Sequence, residues 1–462
     1  MHASIKTSRA TLALLLMLLF AFTPDGFSPA LAFLSIVVTV EIIIRTARNP
    51  VSLHENISTQ FHGEFLFYIF SYVILLYPYH LALFGAIDLS QQSKFRYSFP
   101  EMSNKAIIAS TIFFVGFDIG TSSVFRARDM PRLGQFQPAP ILSTMLLFLQ
   151  VVSIIVFLGL GGDRWIFGSY SRLDQVSSAT VNQFFFLATL LTMMAFASFI
   201  AGFKLRCNNS FSWVSAGVGA IWILAVFLIG DRNSLFLILI SIITSLSLFY
   251  IRVRITSLAI LATIAFTAYS GFEVARKSED KSISGMISEI FDPNNQTSIA
   301  DSSLANTTTS TRAAFYYVPD TIGYSYGQLT TNAILGIVPK LRSLVVKSNA
   351  GPTRSAEILT DAILGKNTSW GLGTSILADL YMDLGIFYVL FASYVLGCVW
   401  AWIRFRLASA PNDHDAIVLF VVATAFFAEL ARYGIAFVIR PIVWTYFILS
   451  LSRFISRFLH KV

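Results

Sequence analysis

The sequence predicts an all-α, polytopic integral membrane protein with about twelve transmembrane helices and one large external loop. Three observations predict it. Hydrophobic residues fill 55% of the 462 positions and charged residues only 13%, with a mean hydropathy of +0.68, whereas an ordinary soluble protein carries about 25% charged residues. Apolar runs of about 20 residues recur from end to end, each long enough to cross a hydrocarbon core of about 30 Å in helical form. Arginine and lysine gather at every second connection between those runs, as the positive-inside rule requires.

Helix rather than strand follows because a helix satisfies its own backbone groups in lipid. A membrane β-barrel would alternate apolar and polar residues over about ten positions, and stretches such as Leu12 to Phe20 and Phe236 to Leu248 do not.

In order, the expected spans are Ala10–Phe22, Pro29–Thr46, Glu64–Ile87, Ala106–Val124, Ala139–Leu160, Val181–Phe203, Phe211–Ile229, Asn233–Ile251, Ile255–Gly271, Gly371–Ile403, Ala416–Leu430 and Ile435–Leu451. Lys6 and Arg9 before the first run resemble the start of a signal peptide. No small-residue cleavage site follows, however, and Pro29 soon opens another apolar run, so the first helix is expected to be retained. With both termini cytoplasmic, the inner connections carry Lys6 and Arg9, Arg45 and Arg48, Arg126 to Arg132, Lys204 and Arg206, Arg252 and Arg254, Arg404 and Arg406, then Arg453, Arg457 and Lys461. The net charge of +8 is thus a matter of topology, and no nucleic-acid partner is expected. Cys207 and Cys398 fall near cytoplasmic span ends, where disulfides are not maintained.

The chain divides into spans one to nine (1–271), an external loop (272–370) and spans ten to twelve (371–462), all within one integrated membrane domain. The loop is long enough to escape the charge rule. Its first part, Phe272 to Thr311, has three basic and six acidic residues, and its second, Arg312 to Trp370, has six basic and three acidic, which makes the second the anion-facing half. Between them, PNNQTSIADSSLANTTTSTR is so polar that it is expected to bury little and to carry no fixed structure. The following FYYVPDTIGYSYGQLTTNAILGIVP suits short interfacial helices. No internal repeat is found, against a secondary transporter built from two related halves.

Charged groups within or beside spans are costly and are therefore the first candidates for function. Asp231 and Arg232 sit in the turn of LIGDRNSLF, which suits either a solvated turn with Asp231 as a helix cap or an anionic headgroup bound by the fork of donors on Arg232. Glu429, Arg432 and Arg440 flank the last external turn. Glu429 and Arg432 have the spacing of an intrahelical ion pair, whereas Arg440 needs an anion or a wet cavity. Asp379 and Asp383, four apart on one helix face, suit either a base with its orienting partner or favourable charge near a helix N-terminus. Arg276 belongs to a charged group with Glu273 and Lys277 beyond the ninth span. His80, after Pro78, is expected to bond a carbonyl freed by the proline rather than a metal. Asp118 and Glu41 have no obvious cationic partner in their own spans; they suit either a proton path or, more usually for isolated acids, a cap or a pair with a neighbouring helix. No carboxylate or histidine cluster has metal-site spacing, and no cofactor is expected.

Three segments carry a family resemblance: the turn GDRNS, the loop stretch GYSYGQLTTNAILGIVPKLRS, and GLGTSILADLYMDLGIFYVLF at the tenth span. Together with the single late external loop, they resemble the Wzy-type O-antigen polymerases. Their glycine–arginine turn maps to Gly230 and Arg232, and their proline–basic segment to Pro339, Lys340 and Arg342. Their glycine-rich stretch maps to Gly373, Asp379, Tyr381 and Gly385, with Asp379 standing where the family usually has glutamate.

The resemblance implies a GT-C-like glycosyltransferase of the bacterial inner membrane. It would join undecaprenyl-diphosphate-linked oligosaccharide repeat units at the periplasmic face without a metal, alongside a flippase and a chain-length regulator. Arg232, Arg440 and Arg342 or Arg354 would hold the diphosphate and Asp379 would act as base, with Lys340, Arg276, Arg432, Asp383 and Tyr381 lining the substrate site. O-antigen ligases share the architecture, but they resemble one another in a loop histidine that the segment Phe272 to Trp370 lacks. A lipid-linked oligosaccharide flippase is the alternative from another class, and short external loops would be expected of it.

Overall fold

The computed structural model describes residues 2–48, 51–54, 57–59, 62–90, 97–122, 140–167, 179–251, 303–338, 354–366 and 371–459, with a few single positions between them. The helices in chain order are α1 (His2–Phe22), α2 (Pro29–Ala47), α3 (Gly63–Ser71), α4 (Tyr77–Leu83), α5 (Ser103–Thr121), α6 (Pro140–Phe157), α7 (Asp163–Phe167), α8 (Ala179–Leu205), α9 (Ser210–Ile229) and α10 (Arg232–Phe249). After the large loop begins come α11 (Ser303–Tyr317), α12 (Gln328–Leu335), α13 (Ser355–Leu364), α14 (Ile376–Leu384), α15 (Ile386–Ser409), α16 (His414–Ala428) and α17 (Ala436–Leu459). A small antiparallel hairpin, β1 (Val51–His54) with β2 (Ile57–Thr59), follows α2. It is the one departure from an all-helical architecture among the described residues.

Nine helical segments among the described residues are long and apolar enough to cross a bilayer: α2, α3 with α4, α5, α6 with α7, α8, α9, α10, α15 and α17. Thr7–Phe22 within α1 and the whole of α16 are shorter apolar helices. The expected span Ile255–Gly271 lies outside the described residues. The tenth span begins later than the sequence suggests, because Gly385 adopts φ 78° and ends α14, so that α15 alone makes the crossing.

Two helices form the centre. Every residue of α16 from His414 to Ala428 is buried, and α5 is buried almost throughout, as expected of helices apolar on all sides. Large apolar side chains on α1, α9, α15 and α17, among them Phe387, Phe391, Ile221 and Phe447, are exposed at the perimeter, the arrangement a hydrocarbon solvent favours. Small residues let α5 and α15 approach until their backbones touch. A Cβ added to Gly120 would lie 2.8 Å from the Cα of Gly397, and one added to Gly116 would meet the side chain of Ser393. Gly116 and Gly120 are thus a small-xxx-small seam, the usual device where lipid leaves no hydrophobic force to drive helices together.

One end of the bundle is held by ion pairs. Asp118 near the end of α5 is bridged by Arg45 of α2 and by Arg9 of α1, the latter at 3.2 Å, while Arg9 also pairs with Glu41. Glu64 in the first turn of α3 accepts from Arg404 of α15 at 2.7 Å. Arg453 of α17 grips both oxygens of Asp413, at 2.6 and 2.7 Å, and also Asp415 at the start of α16. The acids at 41 and 118 therefore find partners on neighbouring helices, but Glu41 also pairs at 3.6 Å with Arg45 one turn on in its own helix, a partner not expected from the sequence.

The opposite, loop end overturns the reading of the threonine-rich stretch. Residues Ser303–Tyr317 form α11, and Thr307 to Phe315 are buried in the bundle. The hydroxyls are satisfied locally: Ser310 Oγ donates to the carbonyl of Asn306 and Thr311 Oγ1 to that of Thr307, so the helix presents methyl groups rather than unpaired polar atoms. Thr308 Oγ1 donates at 2.9 Å to the carbonyl of Ile74, four residues before Pro78, which has no N–H to offer it. That carbonyl therefore goes to α11 and not to His80, as the sequence suggested; the His80 imidazole lies between Ser35 and Tyr72, at 2.9 and 3.0 Å.

Gly120→Val is expected to destabilise the protein by about 3 kcal/mol through overpacking of a backbone contact, visible as reduced yield and earlier thermal unfolding in detergent. Thr308→Val should cost about 1 kcal/mol by stranding a buried carbonyl, while Thr308→Ser should cost less than half of that; comparing the two unfolding temperatures checks this.

Candidate active site

The loop end gathers residues that are far apart in the chain. α9 closes on Gly230 in the left-handed region, φ 82°, and Asp231 then caps α10, its carboxylate accepting from the Asn233 N–H at 3.2 Å and the Ser234 hydroxyl at 2.6 Å. The capping reading of Asp231 is therefore correct. Arg232 begins α10 and is buried. Arg432, in the short 3₁₀ turn Leu430–Arg432, donates at 2.9 Å to the amide oxygen of Asn233 and lies 5.7 Å from the centre of the Tyr433 ring. Glu429 is buried in the field of Arg432 and Arg232, and its Oε2 has no hydrogen-bond partner. Spacing suggested an ion pair with Arg432, but Glu429 makes none within 4.0 Å among the described residues.

Asp379 joins three elements. Its Oδ1 accepts from Ser355 Oγ at the start of α13 at 2.8 Å, and its Oδ2 accepts from the N–H of Ile435 at 2.9 Å, just before α17. Gly434 makes room for it, since an added Cβ would stand 2.8 Å from Oδ2. Burial pushes the Asp379 carboxyl above the usual carboxylate range, against the pull of the Ile435 amide and the Ser355 hydroxyl. Asp383, one turn on, is fully buried and accepts from the N–H groups of Leu329 and Thr330 at 3.1 and 3.0 Å. It thus supplies α12 with the cap that Gly327 cannot give. Tyr381 packs against Phe315 of α11, ring centres 4.3 Å apart, and its hydroxyl reaches the carbonyl of Val318 at 3.4 Å. Ser375 caps α14 and hydrogen-bonds Thr311 of α11 at 2.6 Å.

Two arginines stand beside this scaffold, Arg440 on α17 and Arg354 just before α13. Arg440 of α17 lies against Gly336 at the end of α12 and 6.0 Å from the Trp444 ring, and its Nε is buried with no acceptor. The charge that acts on it is that of exposed Arg354, immediately before Ser355. Neither arginine makes an ion pair within 4.0 Å among the described residues. A guanidinium with a buried, unpartnered Nε and no carboxylate at ion-pair distance suits an anion. Lys340, Arg342 and Arg276 lie outside the described residues.

The segment Glu429 to Arg440 thus ties the expected residues together, through Arg432 to α10, through Ile435 to Asp379, and through Arg440 to α12. Sequence reading missed Arg312. It is 1% exposed in α11, with Nη2 on Thr309 Oγ1 at 3.1 Å and the Leu89 carbonyl at 3.5 Å, and with Nε and Nη1 unpartnered. Its neighbours in sequence, threonines and alanines, gave no sign that the helix would be buried.

Asp379→Asn places an amide NH₂ against a donor and is expected to destabilise the protein by about 2 kcal/mol, measured by thermal unfolding of the purified protein. Gly434→Ala should shift unfolding in the same direction without changing any charge.

The comparisons with known proteins agree with this layout of a helical membrane body and a polar, arginine-bearing loop end. A family model described as O-antigen polysaccharide polymerase Wzy matches residues 10–460. No curated protein and no solved structure matches the chain. By that match over nearly its whole length, the chain belongs to the O-antigen polysaccharide polymerase Wzy family, multi-pass membrane enzymes of glycosyltransferase type that polymerise lipid-linked repeat units.

Proposed function

We propose that the loop end faces the periplasm of a bacterial inner membrane and joins undecaprenyl-diphosphate-linked repeat units there, without a metal, its arginines receiving the departing diphosphate. The observation that carries this reading is Arg440, set against the end of α12 with its buried Nε lacking an acceptor, with no acid at ion-pair distance from it or from Arg354 among the described residues. In the proposed step a sugar hydroxyl of one lipid-linked unit attacks the anomeric carbon of the other. The bond from that carbon to the diphosphate oxygen breaks, the electron pair leaves with the diphosphate, and the proton of the hydroxyl passes to a carboxylate.

Arginine suits the leaving group because its planar fork matches phosphate oxygens and keeps its charge. Charge that develops in the transition state is best met by donors already in place. Arg440 and Arg354 fill that role, Arg232 and Arg432 extend the cationic lining towards α10, and Lys340, Arg342 and Arg276 add to it from the loop. Of the two buried carboxylates, Asp379 already holds one donor on each oxygen and fixes the positions of α13 and α17. Glu429 keeps Oε2 without a partner and is the acceptor for the proton. Asp383 and Tyr381 support the substrate-side helices. A flippase and a chain-length regulator would supply the substrate and set the product length.

Arg440→Ala is expected to lower polymerisation by about 10²-fold, the usual cost of removing one preorganised donor, with Arg440→Lys recovering only part of it. The measurement is the length distribution of surface polysaccharide in cells with normal amounts of the variant; long chains in Arg440→Ala would sink the diphosphate role. Glu429→Gln should abolish elongation without the shift in unfolding expected of Asp379→Asn.

A further inference from the structure

A second polar region lies at the same end of the bundle, around the outer ends of α2, α4 and α5, and differs in chemistry from the arginine site. A cavity of about 490 Å³ is lined there by Gly26, Phe27, Asp88, Leu89, Pro100 and Glu101, among others, a size suited to a small ligand. Tyr97 and Tyr316, 51% and 42% exposed, flank it with their rings 6.4 Å apart, and Phe99 packs beneath both at 5.1 and 5.0 Å. The Tyr97 hydroxyl donates at 2.9 Å to Oε2 of Glu101, so the aromatic platform and the cavity share a carboxylate. The backbone there is fixed, since the Glu101 carbonyl accepts from the Gly26 N–H at 2.6 Å, while Asn104 holds the Ser28 N–H and the Pro24 carbonyl at 2.7 and 3.0 Å.

Arg312 supplies an independent observation. Its buried guanidinium bonds the carbonyl of Leu89, a residue of the cavity lining, and leaves Nε and Nη1 without an acceptor. The Tyr79 ring lies 5.9 Å from it, and after Tyr79 the next charge acting on it is that of Glu101. A cavity whose margin carries Asp88 and Glu101, with a buried cation bonded to the backbone of its lining, suits a neutral, hydroxyl-rich ligand. Carboxylates accept from hydroxyls, and half-exposed aromatic faces cover the apolar face of a pyranose. Two carboxylates at the margin repel a diphosphate. Tyrosines of a lipid-interface belt would turn their hydroxyls to headgroups, and that of Tyr97 is instead engaged by the cavity acid.

We infer that the cavity between Glu101 and Leu89, with the Tyr97–Tyr316 platform, is a saccharide subsite that holds a sugar segment of a bound repeat unit away from the diphosphate. It rests on the polymerase reading for the identity of the sugar but not for its chemistry. α11 links the two regions, since Tyr316 belongs to this platform while Phe315 packs on Tyr381 beside Asp379.

The test uses the full-length protein in nanodiscs and, as probe, repeat-unit oligosaccharides freed of lipid and diphosphate by mild acid from the producing cell's own polysaccharide, with binding followed by saturation-transfer NMR. The wild type is expected to bind; Tyr97→Ala and Glu101→Gln should each weaken binding about tenfold, Tyr97→Phe no more than about threefold, and inorganic pyrophosphate should not displace the sugar. Equal binding by Tyr97→Ala and the wild type, displacement by pyrophosphate, or no binding by a wild type that unfolds at its normal temperature would overturn the subsite. Because the probe carries no diphosphate, these outcomes are independent of transfer: failure of the polymerase reading would show instead as no elongation of diphosphate-linked units by a wild type that still binds the free sugar.

Discussion

A polar group without a partner costs several kcal/mol away from water, and the positions of many charged and hydroxyl side chains in this bundle answer to that cost. At one end the answer is direct neutralisation, with Arg9 and Arg45 on Asp118, Arg404 on Glu64, and Arg453 on Asp413 and Asp415. At the other end acids are matched mostly by backbone N–H groups, as Asp383 is by Leu329 and Thr330 and Asp379 by Ile435. Using acids as helix caps there leaves Arg440 and Arg354 without a carboxylate at ion-pair distance among the described residues. The same economy that stabilises α12 and α17 therefore leaves positive charge available to an incoming anion.

The helical body was legible because its signal is simple: length, apolarity and the alternation of basic connections all follow from one solvent. What failed was the inference from composition to burial. The threonines of α11 look too polar to pack, yet each hydroxyl can close on the carbonyl three or four residues back and expose only a methyl group. The carbonyl made available at Ile74 by Pro78 gives Thr308 a specific berth. A one-dimensional reading cannot see that a proline in one helix creates the acceptor for a threonine more than two hundred residues away. The late start of α15 escaped for a related reason, since Gly385 looks like one small residue in an apolar run until its positive φ breaks the helix.

The site was legible in its ingredients and not in its assembly. Arginines beside external turns stood out because charge near a span demands a reason, and Arg232, Arg432, Arg354 and Arg440 do gather at one end. Their placement depends on tertiary contacts, Arg432 with Asn233 and Arg440 with Gly336, which no spacing encodes. Asp379 illustrates the point most clearly. Its position on a helix suggested chemistry, whereas its hydrogen bonds to Ser355 and Ile435 also make it the pin that sets where Arg354 and Arg440 stand.

The glycine seam between α5 and α15 bears on how a lipid-borne substrate reaches this end. Where backbones touch at Gly120 and Gly397, no rotamer can swing aside to admit a lipid tail, and parting the pair would forfeit close packing along the whole length of contact. That boundary acts as a fixed keel. Breathing wide enough for a lipid carrier must then fall to other helix boundaries of the bundle, whose contacts are made by side chains that can yield.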